Sequence, residues 1–91
     1  MSPLSVLAVD DNKDVASTLC LLLSAWGHRA LMACDAAAAW QAALAERPDV
    51  VLLDLGLPDV DGWELARRLR AHPDLAGVVL IAVTGHGGRR S

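Results

Sequence analysis

The chain has 91 residues, of which 54% are hydrophobic, so it suits one small domain with a packed core. Its net charge of −3 gives no electrostatic support for binding nucleic acid. Two cysteines, Cys20 and Cys34, are too few for a disulfide framework or a zinc site, and we expect both to be buried. No apolar run approaches the about 18 residues of a membrane span, and no basic leader stands at the start, so we predict a cytoplasmic protein.

The first predicted strand is an apolar run over residues 4–9, which ends at two aspartates. A helix follows, because apolar residues then repeat at helical spacing up to Trp26. Asn12 or Asp11 is placed to cap the start of this helix, and Gly27 stands where a glycine commonly ends one.

The second strand-and-helix pair is predicted with a weaker strand, over 29–33. Asp35 follows it and is a good N-cap for an alanine-rich helix over 36–46. Pro48 prevents that helix from continuing, because proline lacks the backbone N–H that the helix needs.

The second half of the chain starts with a fully apolar strand, 50–53, that ends at Asp54. A loop rich in glycine, proline and aspartate covers 55–62 and leads to a helix over 63–70. The fourth strand, 78–83, is again apolar throughout. Fully apolar strands that alternate with helices predict a parallel sheet covered by helices on both faces, which is an α/β fold.

Polar residues stand at the carboxyl ends of three predicted strands. Asp10 and Asp11 end the first, Asp54 ends the third, and Thr84 ends the fourth. Such sheets place their chemistry at this edge, so we expect the three carboxylates and the hydroxyl to converge. Close carboxylates repel each other unless a cation such as Mg²⁺ lies between them, and a carboxylate beside Mg²⁺ is a candidate nucleophile towards phosphorus.

These residues resemble the receiver domains of bacterial response regulators, which take part in two-component signal transduction. The matching segments are Val9-Asp10-Asp11-Asn12, residues 52–62 and Ala82-Val83-Thr84-Gly85. The resemblance covers residues 4 to 85 and implies a doubly wound, flavodoxin-like parallel sheet with the strand order 2-1-3-4.

The resemblance also implies a role for each polar residue at the sheet edge. Asp54 would accept a phosphoryl group from the phosphohistidine of a sensor histidine kinase or a phosphotransfer protein. Asp11, Asp54 and the carbonyl group of Gly56 would ligate Mg²⁺, and Asp10 would hold a metal-bound water. Thr84 would be the switch hydroxyl that hydrogen-bonds the phosphoryl group. Such a domain assists its own phosphorylation and dephosphorylation but is not an enzyme for an external substrate.

In the same family, Pro58 and Gly62 would shape the loop after the acceptor, while a fifth strand would bring a lysine and an aromatic switch residue. Lys13 is the only lysine here and stands away from that position, and the chain has no Tyr or Phe. We therefore expect an incomplete receiver over 1–85, without the usual last strand and helices, and a disordered glycine/arginine tail over 86–91. The fourth strand would then be an open edge through which two chains could form a homodimer.

Two alternative functions remain open at this point. A degenerate receiver could act as a binding module that needs no phosphorylation, which the missing lysine favours and the intact acidic residues oppose. An Mg²⁺-dependent phosphatase with an aspartyl nucleophile would usually carry a second aspartate two residues after the nucleophile, where this chain has Gly56.

Overall fold

A computed structural model describes residues 3–56 and 62–83. Within these ranges the chain forms four strands, three α-helices and one short 3₁₀ helix. In chain order they are β1 (Ser5–Val9), α1 (Lys13–Ala25), β2 (Arg29–Ala33), α2 (Ala36–Glu46), β3 (Val50–Asp54), α3 (Gly62–Ala71), the 3₁₀ helix (Pro73–Leu75) and β4 (Val79–Val83).

The four strands form one parallel sheet in the order β2-β1-β3-β4, which confirms the predicted fold class and strand order. The sheet therefore has β1 and β3 at its centre and β2 and β4 at its sides. β1 and β4 are each one residue shorter than the sequence pattern predicted. Leu4 is exposed before β1, and the N–H of Val78 donates to Leu75 in the preceding turn.

The helix ends follow the capping residues read from the sequence. Asn12 Oδ1 accepts from the N–H groups of Asp14 and Val15 at 2.9 and 3.3 Å, so Asn12 rather than Asp11 caps α1. Gly27 has a φ of 90°, a backbone conformation that glycine adopts at little cost, and it ends α1 as predicted. Asp35 Oδ1 accepts from the N–H of Ala38 at 2.7 Å and caps α2.

The main core lies between one face of the sheet and the layer formed by α2, α3 and the 3₁₀ helix. Alternate strand residues point into it because side chains alternate between the two faces of a sheet. Its fully buried large side chains are Leu7, Val9, Val51, Leu53, Leu65, Leu69 and Leu75. Leu80 of β4 packs against the same core, so β4 is covered on this face.

The opposite face of the sheet is covered by α1, which packs on β1 and β2. Ser17 Oγ of α1 lies 3.8 Å from Met32 Sδ of β2. The strand registers place Met32, Ala8, Leu52 and Ile81 side by side in one row across the sheet, so all four lie on the face that carries α1. Ala8 is completely buried, whereas Ile81 is 45% exposed. Among residues 3–56 and 62–83, this face is therefore covered at its centre by α1 but not over β4.

The two cysteines are less buried than predicted. We expected both to be buried, and this was wrong, because Cys20 and Cys34 are both half-exposed. Burial nevertheless raises the pKa of the Cys20 thiol from its usual value of 9.0.

The predicted disordered tail, 86–91, lies outside the described residues. Within residues 3–56 and 62–83, no helix has the length and apolar character needed to cross a membrane.

Candidate functional site

Three aspartates meet at the carboxyl edge of the sheet. Asp54 is the last residue of β3, and Asp10 and Asp11 directly follow β1, which is its neighbour in the sheet. Each offers a carboxylate oxygen within 4.8 Å of those of the other two. Asp10 and Asp54 are only 4% exposed, whereas Asp11 is exposed, so the cluster opens to solvent at Asp11.

The two buried carboxylates are held by the same local hydrogen bond. The N–H of Asn12 donates to Asp10 Oδ1, and the N–H of Gly56 donates to Asp54 Oδ1, both at 2.9 Å. In each case the donor stands two residues after the aspartate, which is the Asx-turn pattern. These two hydrogen bonds were not predicted from the sequence. The available signal was an aspartate followed two residues later by asparagine or glycine, which is typical of such turns.

A close backbone contact fixes the chain directly after Asp54. The N–H of Gly62, at the start of α3, donates to the carbonyl oxygen of Leu55 at 3.3 Å. A Cβ atom on residue 62 would press on Leu55 Cα and come within 2.9 Å of the carbonyl carbon and oxygen of Leu55. Only glycine fits there without movement of the backbone. The resemblance assigned Gly62 a role in the loop, but the contact with Leu55 emerged only in three dimensions.

The chemistry of this cluster suits a hard divalent cation. All three donors are carboxylate oxygens, and Mg²⁺ prefers oxygen ligands while it keeps several waters. Three carboxylates this close repel one another, and a divalent cation bound between them would remove that cost. The residues present therefore fit Mg²⁺, with Asp11 and Asp54 as the side chains that would hold the ion and Asp10 as the side chain that would hold one of its waters.

The structure brings together most of the predicted site. Asp10, Asp11 and Asp54 form one cluster, and Gly56 lies beside Asp54 through its N–H. Lys13 is exposed as the first residue of α1. Two further predicted residues, Thr84 and Pro58, lie outside the described residues. Their assigned roles stay predictions.

Comparisons with known proteins identify the family. The family model described as the response regulator receiver domain matches residues 6–90. The chain is 34% identical over 80 residues to the transcriptional regulatory protein YxdJ of Bacillus subtilis, and this match covers 88% of the chain. It is 38% identical over 79 residues, 87% of the chain, to the transcriptional regulatory protein KdpE of Mycobacterium tuberculosis. The chain spans 35% of the length of each relative.

Solved structures agree with this result. The N-terminal domain of a response regulator receiver protein from Methanoculleus marisnigri is 29% identical and superimposes with a TM-score of 0.86, over 91% of this chain and 68% of that one. A receiver domain from Methylobacillus flagellatus, described as CheY-like, is 31% identical with the same TM-score of 0.86, over 99% of this chain and 76% of that one. The chain belongs to the response regulator receiver domain family of two-component systems.

Proposed function

We propose that the chain accepts a phosphoryl group on Asp54, with Mg²⁺ bound beside it, and that the donor is a phosphohistidine of a sensor histidine kinase or phosphotransfer protein. The observation that carries this proposal is the group of three carboxylates at the carboxyl edge of the sheet. A domain that served only as a binding module would have no use for this group. The intact cluster therefore favours phosphate acceptance.

In the proposed reaction, a carboxylate oxygen of Asp54 attacks the phosphorus atom and forms a P–O bond. The bond between phosphorus and the donor nitrogen breaks, and its electron pair returns to the imidazole of the donor. Bound Mg²⁺ would supply charge neutralisation for the transferring phosphoryl group. Asp11, the exposed member of the cluster, and the Gly56 carbonyl group would hold the ion with Asp54, and Asp10 would hold one of its waters. The hydroxyl of Thr84 would hydrogen-bond the phosphoryl oxygens.

The hydrogen bond from Gly56 N–H to Asp54 Oδ1 supports this assignment because it orients the acceptor. A held carboxylate presents its other oxygen in a constant direction, and such orientation is a main source of rate in phosphoryl transfer. The protein would turn over no external substrate, since the phosphoryl group ends on its own side chain. We therefore propose a phosphoacceptor domain rather than an enzyme.

The proposed partners follow from this chemistry. The donor protein would approach the carboxyl edge of the sheet, where Asp11 is exposed, and both proteins would lie in the cytoplasm. Nucleic acid is not proposed as a partner of this chain, in view of its negative net charge.

We also propose that two copies of the chain associate on the β4 side of the sheet, where β4 pairs with β3 alone among the described strands.

Phosphorylation by a small donor tests the assignment of Asp54. The chain is incubated with Mg²⁺ and acetyl phosphate, and intact-mass spectrometry measures the phosphoryl adduct. Asp54→Asn removes the nucleophile and is expected to abolish the adduct. Asp35→Asn is a matched control, because Asp35 also follows a strand at this sheet edge, and asparagine still caps α2. An adduct that persists in Asp54→Asn, or that disappears in Asp35→Asn, would contradict the assignment.

A further inference from the structure

Asn12 is hydrogen-bonded to the carboxylate cluster on one side and to α1 on the other. Its backbone N–H donates to Asp10 Oδ1 at 2.9 Å. Its side-chain Oδ1 accepts from the N–H groups of Asp14 and Val15, at 2.9 and 3.3 Å. Its carbonyl oxygen accepts from the N–H of Ala16 at 3.1 Å, as the residue that caps a helix does. One residue therefore links a carboxylate of the candidate site to the first turn of α1.

The short segment from Asp10 to Asn12 is held at both ends. At one end, the N–H of Asp10 donates to the carbonyl oxygen of Ala33 at 3.1 Å, which ties this backbone to the end of β2. At the other end, the cap holds the backbone of Asn12 with φ −86° and ψ 108°, and so directs its N–H. Asp11 lies between these ends and is exposed, so packing does little to fix its position. The two ends therefore set where Asp10 and Asp11 present their carboxylates.

The other buried carboxylate of the site, that of Asp54, is supported differently. Its Oδ1 also accepts from the backbone N–H two residues further on, but that residue is Gly56, which has no side chain to bond to a helix. The next helix, α3, begins at Gly62. Within residues 3–56 and 62–83, a side chain that joins the carboxylate cluster to a helix cap is therefore found at Asn12.

The cap of α1 and the order of the turn before it are two parts of one equilibrium. The first N–H groups of a helix have no partner within the helix, so loss of a side-chain cap lets the first turn open more often. In the open form, the N–H of Asn12 would no longer be directed at Asp10. A ligand that needs the ordered turn then binds with an affinity reduced by the fraction of molecules in which the turn is ordered. The cap can therefore raise the affinity for an ion that it does not touch.

We propose that Asn12 is a positioning residue for the Mg²⁺ site and that its side chain acts through the cap of α1. The cap would order the turn that presents Asp10 and Asp11, and bound Mg²⁺ would in turn stabilise the cap, because coupling between two binding events is reciprocal. This role rests on the proposed Mg²⁺ site, and so on the proposed function.

Calorimetry of Mg²⁺ binding to the 91-residue chain compares two variants of Asn12. Asn12→Ala removes the cap, and its affinity for Mg²⁺ should fall by about two- to fivefold. The larger value corresponds to the whole stabilisation by a typical cap, about 1 kcal/mol. Asn12→Ser keeps an oxygen that caps comparably and adds no charge, so its affinity should stay close to that of wild type.

Asp35 provides the matched control, because it caps α2 but is not one of the three clustered carboxylates. Asp35→Ala loses that cap and Asp35→Asn keeps it, so a comparison of the two separates the effect of the cap from that of the charge. Loss of either cap should lower the free energy of unfolding in urea denaturation. Loss of the Asn12 cap should also lower the affinity for Mg²⁺, whereas loss of the Asp35 cap should not. A purely structural role would not produce this difference.

Hydrogen exchange of the wild-type chain gives a readout without substitutions. Mg²⁺ should slow the exchange of the amides of Asp14 and Val15, which donate to Asn12. The amide of Ala38, which donates to the cap of α2, should exchange at the same rate with and without the ion.

The outcomes separate this role from the proposed function. A wild-type chain that binds no Mg²⁺ would contradict the metal site itself, and the role of Asn12 with it. If wild type binds Mg²⁺, equal affinity in Asn12→Ala, or unchanged exchange at Asp14 and Val15, would overturn the role of Asn12 alone. Equal losses in Asn12→Ala and Asn12→Ser would show that the amide side chain acts other than as a cap. A similar loss between Asp35→Asn and Asp35→Ala would show a general effect of destabilisation, and either result would overturn the proposal.

Discussion

Replacement of Gly62 by alanine perturbs the candidate site at its backbone. The added methyl group would press on Leu55 Cα and lie within 2.9 Å of the Leu55 carbonyl carbon and oxygen. Carbon atoms in favourable contact are about 3.5–4.0 Å apart, so Leu55 and the start of α3 must separate. The obstacle is backbone, which cannot rotate away as a flexible side chain would. Leu55 also joins Asp54 to Gly56, so the movement would reach the acceptor.

The expected cost can be built from three contributions. Overpacking of a closely fitted contact typically costs about 1–3 kcal/mol. The hydrogen bond from Gly62 N–H to Leu55, already long at 3.3 Å, would weaken as well. Alanine offsets about 0.4–1 kcal/mol by restricting the unfolded chain. We expect a net loss of about 2 kcal/mol in the free energy of unfolding, which lowers the Tm of a domain of this size by roughly 10 °C.

Thermal and urea denaturation, followed by circular dichroism, measure this loss. Gly77→Ala is the matched control, because a Cβ there meets no atom within 4 Å and, among the described glycines, only Gly27 has a positive φ. The control should be neutral or slightly stabilising. Equal stability of Gly62→Ala and Gly77→Ala would refute the argument that the contact with Leu55 requires glycine.

Four further predictions concern the metal site, the rate of phosphorylation, the cap of α1 and the reactivity of Cys20. Asp11→Ala should reduce the affinity for Mg²⁺ in calorimetry, and acidification should weaken wild-type binding because protons compete for the carboxylate oxygens; equal binding by variant and wild type would refute the metal site. The 91-residue chain, whose only lysine is Lys13, should react with acetyl phosphate at least about a hundredfold more slowly than a receiver with a lysine at the acceptor, since loss of one such electrostatic donor costs about 2.7–4 kcal/mol. A rate equal to that of a receiver with this lysine would mean that another cation takes its role. Asn12→Ala should lower the free energy of unfolding by about 1 kcal/mol through loss of the α1 cap, whereas Asn12→Asp should not, as denaturation would measure. Because burial raises the pKa of Cys20, its thiolate fraction at a given pH is smaller, so its alkylation at pH 8 should be slower than that of a cysteine in a short peptide.

Features that depend on residues close together in the chain could be predicted from the amino-acid sequence alone. The capping side chain of Asp35 lies three residues from the amide that it accepts from, and Gly27 ends α1 because of its own backbone freedom. Fully apolar strands were sufficient to indicate a parallel sheet with helices on both faces. The aspartates at the strand ends also indicated a common edge, because parallel strands all end on the same side.

Contacts between elements that are distant in the chain could not be predicted from the sequence, because they depend on how those elements pack. That Asp10 and Asp11 lie within 4.8 Å of Asp54 follows from the pairing of β1 with β3, which are separated by two helices and β2. The fit of Gly62 against Leu55 depends on where α3 docks, and no local pattern records it. The half-exposure of Cys20 likewise depends on what covers α1 and not on its apolar neighbours in the chain. Local preferences act between near neighbours, whereas burial and close contacts are set by the packing of whole elements.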